Sequence, residues 1–239
     1  MKAYRNIKEI LYFRGDISPF LIHLTKPNKG RTAECNLEKI IRERKLIAGE
    51  SSISDARLEI HNKDREKQYC RAISFTETPL NEIHCLLDIA GRSCDLEPYG
   101  LVFLKEKLRI KGVAPVFYLN NEGNNKLSVI KALCRLIEIE PESAKQILPL
   151  ISSFGKKLLD PTKTINFLWE REWRYPSVEG DLQFNESDVF VGICPDGKIN
   201  HFERLFSGVQ FVDCQRNMKW YASKLVVARQ QHDMKYSVI

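Results

Sequence analysis

No stretch of this chain approaches the roughly 20 consecutive apolar residues that a bilayer-spanning helix needs. The opening MKAYRNIKEILYF has too short a hydrophobic core, and no small-residue cleavage site, for a secretory signal. The expectation is a cytoplasmic protein without membrane contact. Seven cysteines are an odd set for a disulfide framework. Cys35, Cys70, Cys85, Cys94, Cys134, Cys194 and Cys214 form no CxxC pair and keep no regular spacing, so most are expected to be core thiols. Neither His61 with Cys70 nor His84 with Cys85 has the spacing of zinc ligands, and no metal is expected. Gly-rich phosphate loops are missing in both the GxxxxGK[ST] and GxGxxG forms, which removes the main signature of P-loop NTPases and Rossmann dehydrogenases. HExxH and GxSxG are missing too, against zincin proteases and ordinary α/β-hydrolases. A cysteine nucleophile has no recognisable local signature.

What is present describes a folded protein. Of 239 residues, 43% are hydrophobic and 28% charged, enough apolar material for a sizeable core and too much for disorder. One domain spanning 1–239 is expected. Lys and Arg number 37 against 31 Asp and Glu, a formal charge of +6, which suits a polyanionic partner. The cations gather at both ends: residues 1–31 hold seven Lys/Arg against two acids, and 214–239 hold five against one. No internal repeat or low-complexity tract occurs, and LNNEGNNKLS (119–128) has the Asn and Gly of a surface loop.

Hydrophobic periodicity predicts a buried strand at FLIHLT (20–25) before the breaker-rich KPNKG. It predicts a helix over Asn36–Ile47, with Asn36 as N-cap and Gly49 as stop. Further strands are expected at Cys70–Phe75, Gly100–Phe103, Pro115–Leu119, Phe167–Arg174, Val189–Cys194 and Val209–Val212, which are rich in β-branched or aromatic residues. Further helices are expected at Leu80–Ile89, Ser128–Glu140, Glu142–Leu159 with a kink at Pro149, and Asp213–Arg229. Strands and helices mixed without a βαβ rhythm indicate an α+β fold.

Three short segments carry the chemistry. In Trp169-Glu170-Arg171-Glu172-Trp173-Arg174, strand alternation would place Glu170, Glu172 and Arg174 on one face and Trp169, Arg171 and Trp173 on the other. Two carboxylates about 7 Å apart on one strand face repel when desolvated, so their surroundings must supply cations or hydrogen bonds. Taken alone, the segment also reads as an edge strand with an exposed charged face and a tryptophan pair in the core. His23 shares a face with Leu21 and Thr25; it is either a core histidine with a hydrogen-bond partner or, beside the Thr25 hydroxyl, a group that binds a ribose diol or an amide. Ser74 and Thr76 share a face in SFTETP (74–79), which otherwise reads as a strand end turning into a Pro-started helix.

In order, HLT, NLEKIIRERKLIAG, SFTETPL, YGLVF…GVAPVFY and WEREWR resemble the abortive phage resistance family AbiGi over nearly the whole chain. They resemble, more distantly and at motif level, ADP-ribosyltransferases, including the DarT-type enzymes that modify nucleic acid. The resemblance implies a single ADP-ribosyltransferase-like domain with a split-barrel core of two packed β-sheets and flanking helices. It implies NAD as co-substrate, without a metal. His23 and Thr25 resemble the first-strand NAD-binding motif, Ser74, Phe75 and Thr76 the second-strand element, Glu172 the catalytic glutamate and Glu170 the upstream position of an ExE pattern. A carboxylate is what this chemistry asks for. Breaking the nicotinamide–ribose bond builds positive charge at the anomeric carbon, which a well-placed anion stabilises in the transition state. Phe75, Tyr99 or Tyr118 is the stacking residue, and Arg31, Arg42 or Arg44 would neutralise the pyrophosphate. The first-strand Arg of Arg-type toxins is missing.

The implied function is an NAD-dependent ADP-ribosyltransferase toxin or effector of anti-phage defence. Its acceptor would be nucleic acid, single-stranded DNA or RNA, and an antitoxin protein is a further possible partner. Part of the AbiGi-like family carries an antitoxin label, so the alternative is a non-catalytic antitoxin or partner-binding module. A third reading, nucleic-acid binding without NAD chemistry, rests on the charge and on Arg216–Lys224 (RNMKWYASK), where aromatic residues stand near basic ones.

Overall fold

The structure, a computed structural model, describes residues 17–28, 30–48, 71–89, 96–120, 122, 126–156, 162, 164–166, 168–178 and 180–234. The strands in chain order are β1 (Phe20–Leu24), β2 (Lys45–Leu46), β3 (Ala72–Thr76), β4 (Gly100–Leu104), β5 (Ala114–Pro115), β6 (Phe117–Asn120), β7 (Ile151–Lys156), β8 (Thr164–Ile165), β9 (Glu172–Pro176), β10 (Leu182–Gln183), β11 (Val189–Ile193) and β12 (Phe211–Val212). The α-helices are α1 (Ala33–Glu43), α2 (Lys105–Ile110), α3 (Lys126–Ile139), α4 (Pro141–Ile147), α5 (Ile199–Leu205) and α6 (Ala222–Gln231). The fold is α+β. Two compact units interleave along the sequence: residues 1–44, 77–108 and 184–239 make the first, and 45–76 with 109–183 the second. Among the described residues no helix is long and apolar enough to cross a membrane.

In the first unit β1 pairs antiparallel with β4, β4 antiparallel with β11, and β11 parallel with β12. VFVGI of β11 is buried at every position, the continuous apolar run expected of a strand covered on both faces. Phe20 stacks on Phe190 with ring centroids 4.2 Å apart, and Phe202 stacks on Phe211 at 5.4 Å. Gly192 is required by this packing, because a Cβ there would lie 2.0 Å from the Phe211 ring.

Helix α1 starts earlier than its apolar spacing suggests. The Thr32 hydroxyl, not Asn36, accepts the exposed Cys35 N–H at 3.2 Å and caps the helix, and Ala33, Leu37 and Ile41 form its buried stripe. Asn36 instead donates from Nδ2 to the Lys26 carbonyl at 2.8 Å. Arg44, left-handed at φ 52°, ends the helix, so Lys45–Leu46 are free to pair with β10. Gly49 lies outside the described residues.

In the second unit β3 pairs antiparallel with β9, and β9 antiparallel with β5. A separate ladder joins β6 parallel to β7 and β7 antiparallel to β8. The helix expected over Glu142–Leu159 stops at Ile147, and after a 3-10 turn at Leu148–Leu150 the chain becomes β7. Pro149 lacks the N–H that would continue the helix, and ISSF pairs with β6 instead. Ile137, Ala144, Leu148 and Ile151 close a small apolar core.

Other boundaries differ in the same local way. Leu80–Leu86 is a 3-10 helix; the expected strand Pro115–Leu119 divides into β5 and β6 around Val116; and the helix expected from Asp213 begins as a 3-10 turn at Met218. Leu119 and Asn120 of the expected loop belong to β6, and Lys126–Ser128 to α3. Cys70, Cys94 and His61 lie outside the described residues.

Candidate functional site

The β3–β9 ladder sets the geometry. Its register places Ser74 opposite Arg174, Phe75 opposite Trp173 and Thr76 opposite Glu172. Partners directly opposite share a face, so Ser74, Thr76, Glu172 and Arg174 all project to one side of this ladder. Phe75 and Trp173 project to the other.

On the polar side, the Ser74 hydroxyl donates to Glu172 Oε1 at 2.6 Å. Arg174 Nε donates to the same oxygen at 2.9 Å, and its Nη2 to Glu172 Oε2 at 2.6 Å. The guanidinium is 0% exposed. Its Nη1 donates to the Pro149 and Ile151 carbonyls at 2.8 and 3.1 Å. Of the cations or hydrogen bonds that a desolvated carboxylate requires, a cation is thus supplied by the same strand, two residues on. Planar, forked and bidentate, it fixes the carboxylate's orientation as well as compensating its charge.

Tyr118 of β6 completes the cluster. The Glu172 N–H donates to its hydroxyl oxygen at 3.3 Å, and the Glu172 carbonyl accepts the Val116 N–H at 3.0 Å. Burial pushes the Tyr118 pKa up and the Glu172 carboxylate adds to the rise, while the Glu172 N–H opposes it. Tyr118 is therefore a protonated phenol at neutral pH, beside the backbone of Glu172.

Glu170 is not on the strand. Leu168–Glu170 form a 3-10 turn, and Arg171 then adopts φ 45° before β9 begins at Glu172. The left-handed residue breaks the alternation, so the common face expected for Glu170, Glu172 and Arg174 holds only for the last two. Thr76 fixes the turn, its hydroxyl donating to the Glu170 carbonyl at 2.7 Å. Nor do the two tryptophans form a core pair. Trp169 is 43% exposed and Trp173 half-buried.

Phe75 is 2% exposed, which leaves no face for a ligand. Tyr99, also buried, donates its hydroxyl to Glu34 at 3.3 Å; burial first, then the Glu34 charge, pushes its pKa up to about 12. Of the three aromatic candidates, Tyr118 is the one beside Glu172. His23 and Thr25 belong to the first unit. His23 is half-buried in β1, opposite Leu101 of β4. Thr25 is buried just beyond β1; its single hydroxyl proton is shared between the Ala33 carbonyl at 3.0 Å and the Tyr99 carbonyl at 3.1 Å. That hydroxyl ties the end of β1 to the start of α1. Glu77, in the same motif as Ser74, is buried and accepts the Lys105 ammonium at 2.7 Å.

Among the arginines proposed for a pyrophosphate, Arg31 and Arg42 are exposed. Arg44 pairs with Glu186 at 2.9 Å and lies 3.8 Å from the centroid of the Phe206 ring. Cys194 and Cys214 are buried, their thiols pushed up to about 12 chiefly by desolvation, which makes them inert. Cys35 and Cys85 are exposed, unlike the core thiols expected. Among the described residues no group of three or more His, Cys, Asp or Glu side chains could hold a metal ion.

Comparison of the chain with family models, with curated proteins and with solved structures finds no match.

Proposed function

We propose that this chain is an NAD-dependent ADP-ribosyltransferase of anti-phage defence that modifies nucleic acid, with Glu172 as its catalytic carboxylate and a split-barrel core of two packed sheets. One observation carries the reading: the Ser74 hydroxyl lies 2.6 Å from the Glu172 carboxylate across 98 residues of sequence. The resemblance assigns these two residues to one site, and nothing in their local sequence requires them to meet. Ser74, Glu172 and Tyr118 fit an NAD site. Phe75 does not fit, because it is packed into the core, and Tyr118 takes the place of the aromatic neighbour.

Bound NAD supplies the ADP-ribosyl group, with nicotinamide as the leaving group. Glu172 would contribute a carboxylate that favours the positive charge as it moves from the nicotinamide ring onto the ribose in the transition state. Ser74 and Arg174 hold that carboxylate in one orientation, so little reorganisation accompanies reaction. Glu170, in the adjoining turn, orients the acceptor nucleophile.

A second reading, the non-catalytic antitoxin or partner-binding module, is favoured by the pairing of both Glu172 oxygens with a fully buried guanidinium. A carboxylate held in this way also serves as structure alone. The test is calorimetry with NAD together with transfer of labelled NAD to single-stranded DNA, single-stranded RNA and protein extract in parallel. NAD binding is expected. Glu172→Gln should lower transfer by about 10²-fold while NAD affinity survives. Unchanged transfer in Glu172→Gln refutes the catalytic assignment, and failure of the folded wild type to bind NAD selects the second reading.

A further inference from the structure

The first unit carries an apolar surface feature that its own core does not explain. Trp220 is 73% exposed, and Val226 and Val227 are exposed as well. Met218, Tyr221, Leu225 and Ala228 form the buried side of the same segment. At helical spacing, Trp220, Ser223 and Val227 fall on the opposite side. An indole left in water is an unfavourable use of a large apolar side chain.

The backbone that carries the ring is held in a turn. The Asn217 side chain accepts the Lys219 backbone N–H, and the Trp220 backbone N–H donates to the Asn217 carbonyl, both at 3.0 Å. The Arg216 guanidinium stands 5.4 Å from the indole centroid, within range of a cation–π contact. An aromatic surface is thus presented to solvent with a cation near it. From Cys214 to Met234 the chain holds four Lys/Arg (Arg216, Lys219, Lys224, Arg229) and one acid, Asp233. Lys224 is paired with Glu203, and Arg216 is shared with Asp196 at 3.2 Å, so exposed Lys219 is the cation best placed to meet an added anion.

We propose that Trp220, flanked by Arg216 and Lys219, is a stacking platform for single-stranded nucleic acid. Every base offers a π-face to an exposed indole, and the adjoining phosphates meet the cations. Charge selects this occupant over a second copy of the chain, which would bring another net charge of +6 against the patch. A duplex keeps its bases stacked inside and presents none to the ring. The platform stands independently of the transferase reading, since binding here needs neither NAD nor Glu172.

The experiment measures fluorescence anisotropy of labelled oligothymidylate and oligouridylate titrated with the full chain. Wild-type binding is expected to weaken steeply between about 50 and 200 mM salt. Trp220→Ala should raise Kd about tenfold and Trp220→Phe no more than about threefold, because stacking needs an aromatic face. Lys219→Gln should reduce the slope of log K against log salt by about 1. Asp196→Asn keeps an acceptor for the Tyr221 hydroxyl, which donates to Asp196 at 3.0 Å. It removes the charge that competes with phosphate for Arg216 and should tighten binding. NAD affinity, measured on the same variants, should not change, which separates this test from that of the transferase. Salt-insensitive or absent wild-type binding overturns the proposal, as does unaltered binding by Trp220→Ala. Loss of a dimer in Trp220→Ala, with nucleic-acid binding intact, overturns it in favour of self-association.

Discussion

Replacing Arg174 with Met keeps most of the aliphatic stem and removes the guanidinium, and the structure says what is then lost. Two charge-assisted bonds to Glu172, at 2.9 and 2.6 Å, disappear together with two to the carbonyls of Pro149 and Ile151. Glu172, with 9% of its side chain exposed, would keep only Ser74 from the group of donors around its carboxylate described above. Breaking a buried ion pair from one side typically costs about 3–5 kcal/mol, mostly the penalty of the charge left behind. Glu172→Gln is milder, about 1.5–3 kcal/mol, because the same two carbonyls still solvate the guanidinium. The double variant removes both charges and should cost less than the sum, with a coupling of about 0.5–3 kcal/mol. The assay is urea unfolding followed by tryptophan fluorescence in a Trp220→Phe background. Of the three tryptophans, this leaves Trp169 and Trp173, both in the second unit. An Arg174→Met cost below about 1 kcal/mol, or strict additivity in the double variant, would refute the buried-pair account. The same cycle bears on function: for a catalytic Glu172, Glu172→Gln must lose turnover while most of the protein remains folded.

Two further outcomes follow from the first unit. Gly192→Ala should destabilise by about 1–3 kcal/mol, since its methyl would lie 2.0–2.4 Å from atoms of the fully buried Phe211 ring; a melting temperature equal to wild type would show that β11 and β12 yield more readily than their packing implies. His232 has its Nε2 2.9 Å from the Val189 carbonyl, and burial, partly offset by that bond, holds its pKa below the ordinary 6.5. The folded state therefore binds fewer protons than the unfolded, so stability is full above about pH 6.5 and declines as pH falls from there toward the lowered folded value. Melting scans at pH 7.5 and 5.5 should show a smaller acid loss in His232→Asn than in wild type, and equal losses would remove His232 from the account.

Local pattern made several elements legible. Apolar and β-branched runs located β1, β3, β4 and β11, and the mixture of strands and helices gave the α+β class. Strand alternation paired Ser74 with Thr76 and Glu172 with Arg174 on common faces, because side-chain direction along a strand has a period of two whatever the partner. Where it failed, a single backbone angle or bond intervened. Arg171 turned left-handed and took Glu170 off the strand, Thr32 captured a helix N–H ahead of Asn36, and Pro149 let ISSF leave the helix for a parallel ladder. Phe75 packs into the core with Ile73, the other apolar residue on its face of β3, as alternation along the strand groups them. Thr25, assigned to a ligand, had carbonyls of Ala33 and Tyr99 nearer to hand. The sequence by itself determined the class of fold, the common faces of Ser74 with Thr76 and of Glu172 with Arg174, and the need of a desolvated Glu172 for cations or hydrogen bonds. Only the tertiary structure decided that the cation is Arg174, that Ser74 reaches the carboxylate, and that Tyr118 rather than Phe75 stands beside it. Periodicity is a property of a few consecutive residues, whereas register between β3 and β9 is set by the packing of segments almost a hundred residues apart.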